Sequence, residues 1–209
     1  MSYELIMRYP KLRELKEAVR ALIKGPYTSR FPNLPHKPYE RFRGKPEYHQ
    51  EECMGCTACV NVCPSGALSF QDKIESGMPK RILTYTMDLC IFCGQCQANC
   101  PTEKGIMLSL EFDLATTGKR QELKTDIEKE LILCDCCGEI IAPRDQLLWV
   151  AKKIGPLIFS NASLMLFYLR GLNPASKEKT SSGKEGEFMR AERIKVLCPR
   201  CRREAAIKS

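Results

Sequence analysis

Cys53-Met54-Gly55-Cys56-Thr57-Ala58-Cys59-Val60-Asn61-Val62-Cys63-Pro64 is answered later in the chain by Cys90-Ile91-Phe92-Cys93-Gly94-Gln95-Cys96-Gln97-Ala98-Asn99-Cys100-Pro101. Both phrases read C-x2-C-x2-C-x3-C-P, a run that ligates iron-sulfur clusters. Three thiolates at that spacing can wrap a loop around one face of a cube, and a fourth must close it from outside. Gly55 and Gly94 give the backbone freedom to turn N–H groups toward sulfur. The repeat continues past the ligands, because Gly66-Ala67-Leu68-Ser69-Phe70 parallels Gly105-Ile106-Met107-Leu108-Ser109-Leu110. Both stretches read as short strands, so the unit is duplicated.

The phrase is the one found in two-cluster bacterial ferredoxins, where the fourth cysteine of each run serves the other cluster. It predicts two 4Fe-4S clusters, one held by Cys53, Cys56, Cys59 and Cys100 and the other by Cys90, Cys93, Cys96 and Cys63. A disulfide framework would suit a secreted chain, yet Met1 to Arg20 is charged throughout and lacks the apolar stretch of a signal peptide. A zinc site would pair separated C-x2-C units rather than repeat a quadruple run closed by proline.

Thirteen cysteines in 209 residues exceed what packing of a reduced protein requires. Metal is therefore expected to help hold the fold, and the setting is expected to be reducing. The net charge of +8 is uneven: residues 1–52 carry eleven basic and seven acidic groups, 53–110 four and four, 111–133 four and six, and 134–209 fourteen and eight. Basic ends suit an acidic partner, anionic lipid or nucleic acid, and equally suit plain solubility. No run approaches the roughly 18 apolar residues of a spanning helix. Leu157 to Leu169 is interrupted by polar residues and reads as a buried helix or helix pair. Neither a dinucleotide-binding glycine loop nor a P-loop is present, and the cysteine pairs lack the flanking residues of a nickel-iron centre. His36 and His49, the only histidines, read as surface or interface residues, so no catalytic site is assigned.

Pro10 opens a pattern in which Leu12, Leu15, Val19, Leu22 and Ile23 recur at helical spacing, with Lys11, Arg13, Lys16, Glu17 and Arg20 elsewhere on the wheel. Gly25-Pro26 ends it. An amphipathic helix of this kind suits a membrane interface, a groove on another subunit, or its own domain. Five prolines between Pro26 and Pro46 then make an extended arm.

The amphipathic helix, Lys24-Gly25-Pro26-Tyr27-Thr28, Phe31-Pro32, Pro38 and Arg41-Phe42-Arg43-Gly44-Lys45, followed by the paired cysteine runs, resembles the two-cluster subunit of respiratory complex I. It is equally similar to the corresponding subunit of membrane-bound nickel-iron hydrogenases, including formate hydrogenlyase and ferredoxin-linked archaeal complexes. The resemblance covers about residues 8–112. It implies an electron-transfer subunit, peripheral on the cytoplasmic face of a membrane, its first helix lying along the membrane domain. The implied partners are a catalytic large subunit, a cluster-bearing small subunit, membrane subunits and a low-potential donor such as ferredoxin.

Toward the C-terminus, Cys134/Cys137 and Cys198/Cys201 form two C-x2-C pairs, the four-cysteine set of structural zinc sites, with Cys136 a potential substitute. A third iron-sulfur cluster, a disulfide or packed free thiols are the competing readings. Pro143 to Ile154 and Ala162 to Leu169 read as helices, 173–190 as a polar loop, and Arg190 to Leu197 as a returning strand. A tail of this length departs from the complex I subunit and tilts the reading toward a hydrogenase-type or sulfur-reducing relative.

The expected architecture is α+β. Residues 1–48 form a helix and docking arm, 49–112 a two-cluster core, 113–133 a linker, and 134–209 a helical, zinc-ribbon-like extension. The expected function is single-electron relay toward hydrogenase-like or sulfur-reducing catalysis. Alternatives are a free soluble polyferredoxin carrier, a quinone-reducing complex I subunit, and a zinc protein binding nucleic acid through Cys198 to Arg203. Nucleic acid is the partner least expected, because a basic recognition helix is missing.

Overall fold

The computed structural model describes residues 11–25, 28–74, 78–172 and 195–207. The chain divides into two units, Met1–Glu40 and Arg41–Ser209.

In the first unit, α1 (Leu12–Lys24) starts where the backbone N–H of Lys11 donates to Glu14 Oε2 at 3.1 Å and ends where the Gly25 N–H reaches the Ala21 carbonyl. Its apolar and charged residues segregate to opposite faces at the spacing read from the sequence. Within this unit, no described side chain of the helix is buried.

The second unit holds two antiparallel sheets. Strand β1 (Pro46–Tyr48) pairs with β4 (Ile106–Leu108), Tyr48 facing Ile106. The larger sheet runs β2-β3-β5-β6, from β2 (Leu68–Lys73) and β3 (Lys80–Thr86) to β5 (Lys124–Leu133) and β6 (Ile140–Pro143). Leu68 faces Tyr85, and Leu83 faces Ile127. The first of these pairs lies in the apolar core with Ala67, Ile106, Cys59 and Cys96, while Leu83 and Ile127 pack with Cys53. Short helices α2 (Ala58–Asn61) and α3 (Gln95–Ala98) each follow the first two cysteines of a run. Each is a single turn whose buried residue is the third cysteine of its run, Cys59 or Cys96.

The two strands expected after the cysteine runs are present as β2 and β4, in different sheets. The stretch 113–133, read as a linker, instead contains β5, which lies between β3 and β6. Residues 41–48, read as part of the arm, belong to the second unit. The reason is local at Gly44, whose N–H donates to the Ser109 carbonyl at 3.1 Å while the Ser109 N–H donates to Lys45. A Cβ at Gly44 would sit 2.5 Å from the Ser109 carbonyl oxygen and closer still to that of Glu111. Gly44→Ala is therefore expected to cost about 3 kcal/mol and lower the thermal midpoint by on the order of 10 °C. A far-UV melt matching that of the parent would refute the close packing.

Beyond β6, α4 (Arg144–Ile154) begins right after Pro143, and α5 (Ala162–Leu172) follows a 3-10 segment over Gly155–Ser160. The final helix α6 (Pro199–Ile207) starts inside the last cysteine pair. The loop expected at 173–190 lies outside the described residues. Lys195–Leu197, read as the end of a strand, are irregular and tied by their backbone to Asp135 and Ser163. Among the described residues, no helix is long and apolar enough to cross a membrane.

Candidate functional site

Cys53, Cys56, Cys59 and Cys100 line one recess; Cys63, Cys90, Cys93 and Cys96 line another. In each, three sulfurs come from one run and the fourth from the other. Strand β3 borders both recesses, Leu83 the first and Tyr85 the second.

The loops reach this arrangement through left-handed backbone. The residue before the second cysteine has positive φ in both runs (Gly55 +72°, Phe92 +53°), and so does the residue after it (Thr57 +63°, Gly94 +77°). Each run thus places one glycine and one side-chain-bearing residue in a conformation that L-residues avoid. Phe92 and Thr57 each carry strain of order 1–3 kcal/mol, of the kind that persists at functional sites.

The fourth cysteines share a donor pattern. Burial alone would raise the Cys63 thiol, but backbone N–H groups of Leu68, Ala67 and Ser65, with the Ser65 hydroxyl at 3.7 Å, outweigh it and lower its pKa. At Cys100 burial is likewise outweighed, here by the Thr102 hydroxyl at 3.3 Å and the N–H groups of Thr102, Ile106 and Gly105. The third cysteines behave oppositely: burial pushes Cys59 up to about 12 and Cys96 up to about 11. Such sulfurs become thiolates at neutral pH only with a cationic partner.

Two tyrosines complete the duplication. Tyr48 Oη lies 3.9 Å from Cys59 Sγ at the first recess. Tyr85 stands at the second, where its buried hydroxyl, beside Cys90, has no hydrogen-bond partner among the described residues. Sequence reading missed both residues. The signal was available, since Tyr48 precedes Cys53 by the same interval as Tyr85 precedes Cys90.

Sulfur atoms of Cys134, Cys137, Cys198 and Cys201 lie within 4.8 Å of one another, with Cys137 and Cys198 3.7 Å apart. Cys134, Cys198 and Cys201 are buried; Cys136 is exposed and outside the group. The Cys198 N–H donates to Cys134 Sγ at 3.2 Å and the Cys201 N–H to Cys198 Sγ at 3.5 Å. Although burial opposes it, N–H groups of Cys137, Cys198 and Cys136 hold the Cys134 thiol down at about 7, whereas burial and the neighbouring thiols push Cys201 up. Asp135 braces the knuckle, accepting from Arg170 at 2.8 Å and from the Val196 N–H at 2.8 Å.

A family model described as a 4Fe-4S dicluster domain matches residues 37–104. The chain carries a dicluster ferredoxin domain. That domain is related to NAD(P)H-quinone oxidoreductase subunit I of Gloeobacter violaceus, 34% identical over 49% of this chain and 50% of the relative. It is also related to formate hydrogenlyase subunit 6 of Escherichia coli, 39% identical over 56% of this chain and 63% of the relative. The chain thus spans between half and two thirds of the length of these two curated relatives. NADH-quinone oxidoreductase subunit I 2 of Geobacter metallireducens is 29% identical over 52% of this chain and 87% of its own. Among solved structures, a chain of the membrane-bound sulfane sulfur reductase, an archaeal respiratory membrane complex, is 26% identical. It aligns over 59% of this chain and 65% of that one, with a TM-score of 0.38.

The residues of the dicluster domain fit two 4Fe-4S groups. Each recess offers four cysteines, the raised thiols of Cys59 and Cys96 require a cationic partner to ionise, and a bound cluster would offer an acceptor to the Tyr85 hydroxyl, which has no partner among the described residues.

Proposed function

We propose that this chain is an electron-relay subunit of a membrane-associated oxidoreductase complex. It would pass single electrons from a low-potential donor such as ferredoxin, or from a neighbouring cluster, to a hydrogenase-like or sulfur-reducing catalytic subunit, and carry no bond-making site of its own. The observation that carries the reading is the pair of four-cysteine recesses sharing one wall, β3. A 4Fe-4S cluster, when bound, accepts and releases one electron with little change in shape.

The chain's own residues do the rest. Cys53, Cys56, Cys59 and Cys100 would ligate one cluster, and Cys90, Cys93, Cys96 and Cys63 the other. Leu83, Ile106 and Met54 exclude water from the first recess, and Leu68 with Ala67 from the second. The Ser65 and Thr102 hydroxyls and the surrounding N–H groups stabilise the thiolates. Cys134, Cys137, Cys198 and Cys201 would hold one structural zinc, closed to substrate because all four positions are protein sulfur.

Similarity to formate hydrogenlyase subunit 6 supports a hydrogenase-like setting. In this reading the chain sits on the cytoplasmic face of a membrane, with catalytic and membrane subunits as partners. A second reading, favoured by two relatives named as quinone oxidoreductase subunits, makes the complex quinone-reducing. Mild purification of the tagged chain from its source, followed by identification of copurifying chains and EPR-monitored reduction, tests both. The lead reading expects membrane fractionation, two reducible EPR centres and a copurifying large subunit, nickel-bearing in the hydrogenase-like case and sulfur-reducing in the other. A nickel-free quinone-reactive complex would select the second reading, and a monomeric soluble protein would defeat both in favour of a free carrier.

A further inference from the structure

Lys129 sits at the middle of β5 with its side chain only 4% exposed. Its stem packs on the first cysteine loop: a Cβ built at Gly55 would lie 3.2 Å from both Cβ and Cγ of Lys129. Its ammonium donates to the Gln50 carbonyl, three residues before Cys53, and to Asp145 Oδ2 of α4 at 2.9 Å. Asp145 is 43% exposed, so water screens the carboxylate while the ammonium stays dry. The other cations near the recesses are differently placed. Arg81 donates to the Gly55 carbonyl at 3.0 Å but is neutralised by Asp72 through two bonds of 2.7 and 2.8 Å. Arg43 reaches the Cys93 carbonyl of the second loop at 3.2 Å from an exposed position. Only the first recess, among these, has a buried cation whose counter-charge faces solvent.

We propose that Lys129 sets the reduction potential of the first site, raising it relative to the second, and that Asp145 moderates this effect. Reduction adds one negative charge to the group held by Cys53, Cys56, Cys59 and Cys100. A buried ammonium stabilises that charge more than the oxidised form, and low local dielectric keeps the attraction strong. The tail after the cysteine runs therefore tunes the relay, because both Lys129 and Asp145 come from it. This inference rests on the relay reading for the presence of the cluster.

The test is an EPR-monitored redox titration of the full chain carrying both clusters, in the parent, Lys129→Met, Asp145→Asn and the double variant. The Cys63→Ser chain identifies which signal belongs to which site. Lys129→Met should lower the midpoint of the first site's signal and Asp145→Asn should raise it. The double variant should fall between the two single variants, with the second site's midpoint unmoved throughout. Opposite shifts confined to one signal are not produced by general loosening of the fold. Should Lys129→Met fail to assemble, Asp145→Asn alone decides, since a static or lowered first-site midpoint overturns the proposal. Equal shifts at both sites overturn it as well. Absence of the cluster signals from the parent would sink the relay reading instead.

Discussion

Cys63→Ser is expected to empty the second site while leaving the first intact. Iron should fall from about eight to about four per chain, with one EPR signal lost. Serine offers a hard oxygen that ionises poorly, where iron-sulfur chemistry selects soft thiolate. The effect should be confined because Cys63 stands with Cys90, Cys93 and Cys96, although in sequence it closes the first run. Its thiolate is also the one that the N–H groups of Leu68, Ala67 and Ser65, with the Ser65 hydroxyl, are arranged to stabilise. Metal analysis and EPR of the purified variant check this. Loss confined to the signal of Cys53, Cys56 and Cys59 would refute the crossed arrangement.

Removing the metal proposed for Cys134, Cys137, Cys198 and Cys201, by chelator or by Cys201→Ser, should release α6 and the Val196–Cys198 segment. The apolar cluster there consists of Cys134, Leu197, Cys198, Cys201 and Ala205, so most of what is buried is ligand sulfur and small side chains. Such a core supplies little hydrophobic stabilisation. Zinc binding to four-ligand peptides contributes on the order of 10 kcal/mol, far more than this contact area can replace. Hydrogen exchange should show loss of protection at the amides of Cys198, Cys201 and Arg202, which now bond within the knuckle and first turn of α6. Protection at Leu83 and Tyr85, in the strand paired on both sides, should persist. Retained protection after complete metal removal, or about twelve irons per chain in place of eight plus one zinc, would overturn the zinc assignment.

The cysteine runs were legible because ligand spacing is a local constraint, and α1, α4 and α5 because helical periodicity is local too. Strand β5 escaped for the opposite reason. Ile127, Lys129 and Leu131 alternate inward with Glu128 and Glu130 outward, a clean period of two, but the inward lysine disguises it as a charged connection. A lysine inside is tolerated only because Gln50 and Asp145, remote in sequence, meet it. The Lys195–Leu197 segment ends the stretch Arg190 to Leu197 that the sequence reading takes as a strand returning toward Cys198. Its Val196 and Leu197 N–H groups donate to a side-chain carboxylate and a serine hydroxyl, and its Val196 carbonyl accepts from the Asp135 N–H, partners that no periodicity reveals. Tyr48 and Tyr85 were hidden because the eye stops at the first cysteine, although the duplicated unit starts five residues earlier.

One strand, β3, carries Leu83 on the wall of the first recess and Tyr85 on the wall of the second, two positions apart on the same face. A pleated strand advances about 3.3 Å per residue, so these two wall residues are spaced by roughly 7 Å. Tunnelling between redox centres decays exponentially with distance, and here part of the gap is gauged by covalent backbone clamped between two neighbouring strands. The strand acts as a ruler: breathing of the ligand loops can change how tightly each centre is held while leaving the graduation between them unaltered.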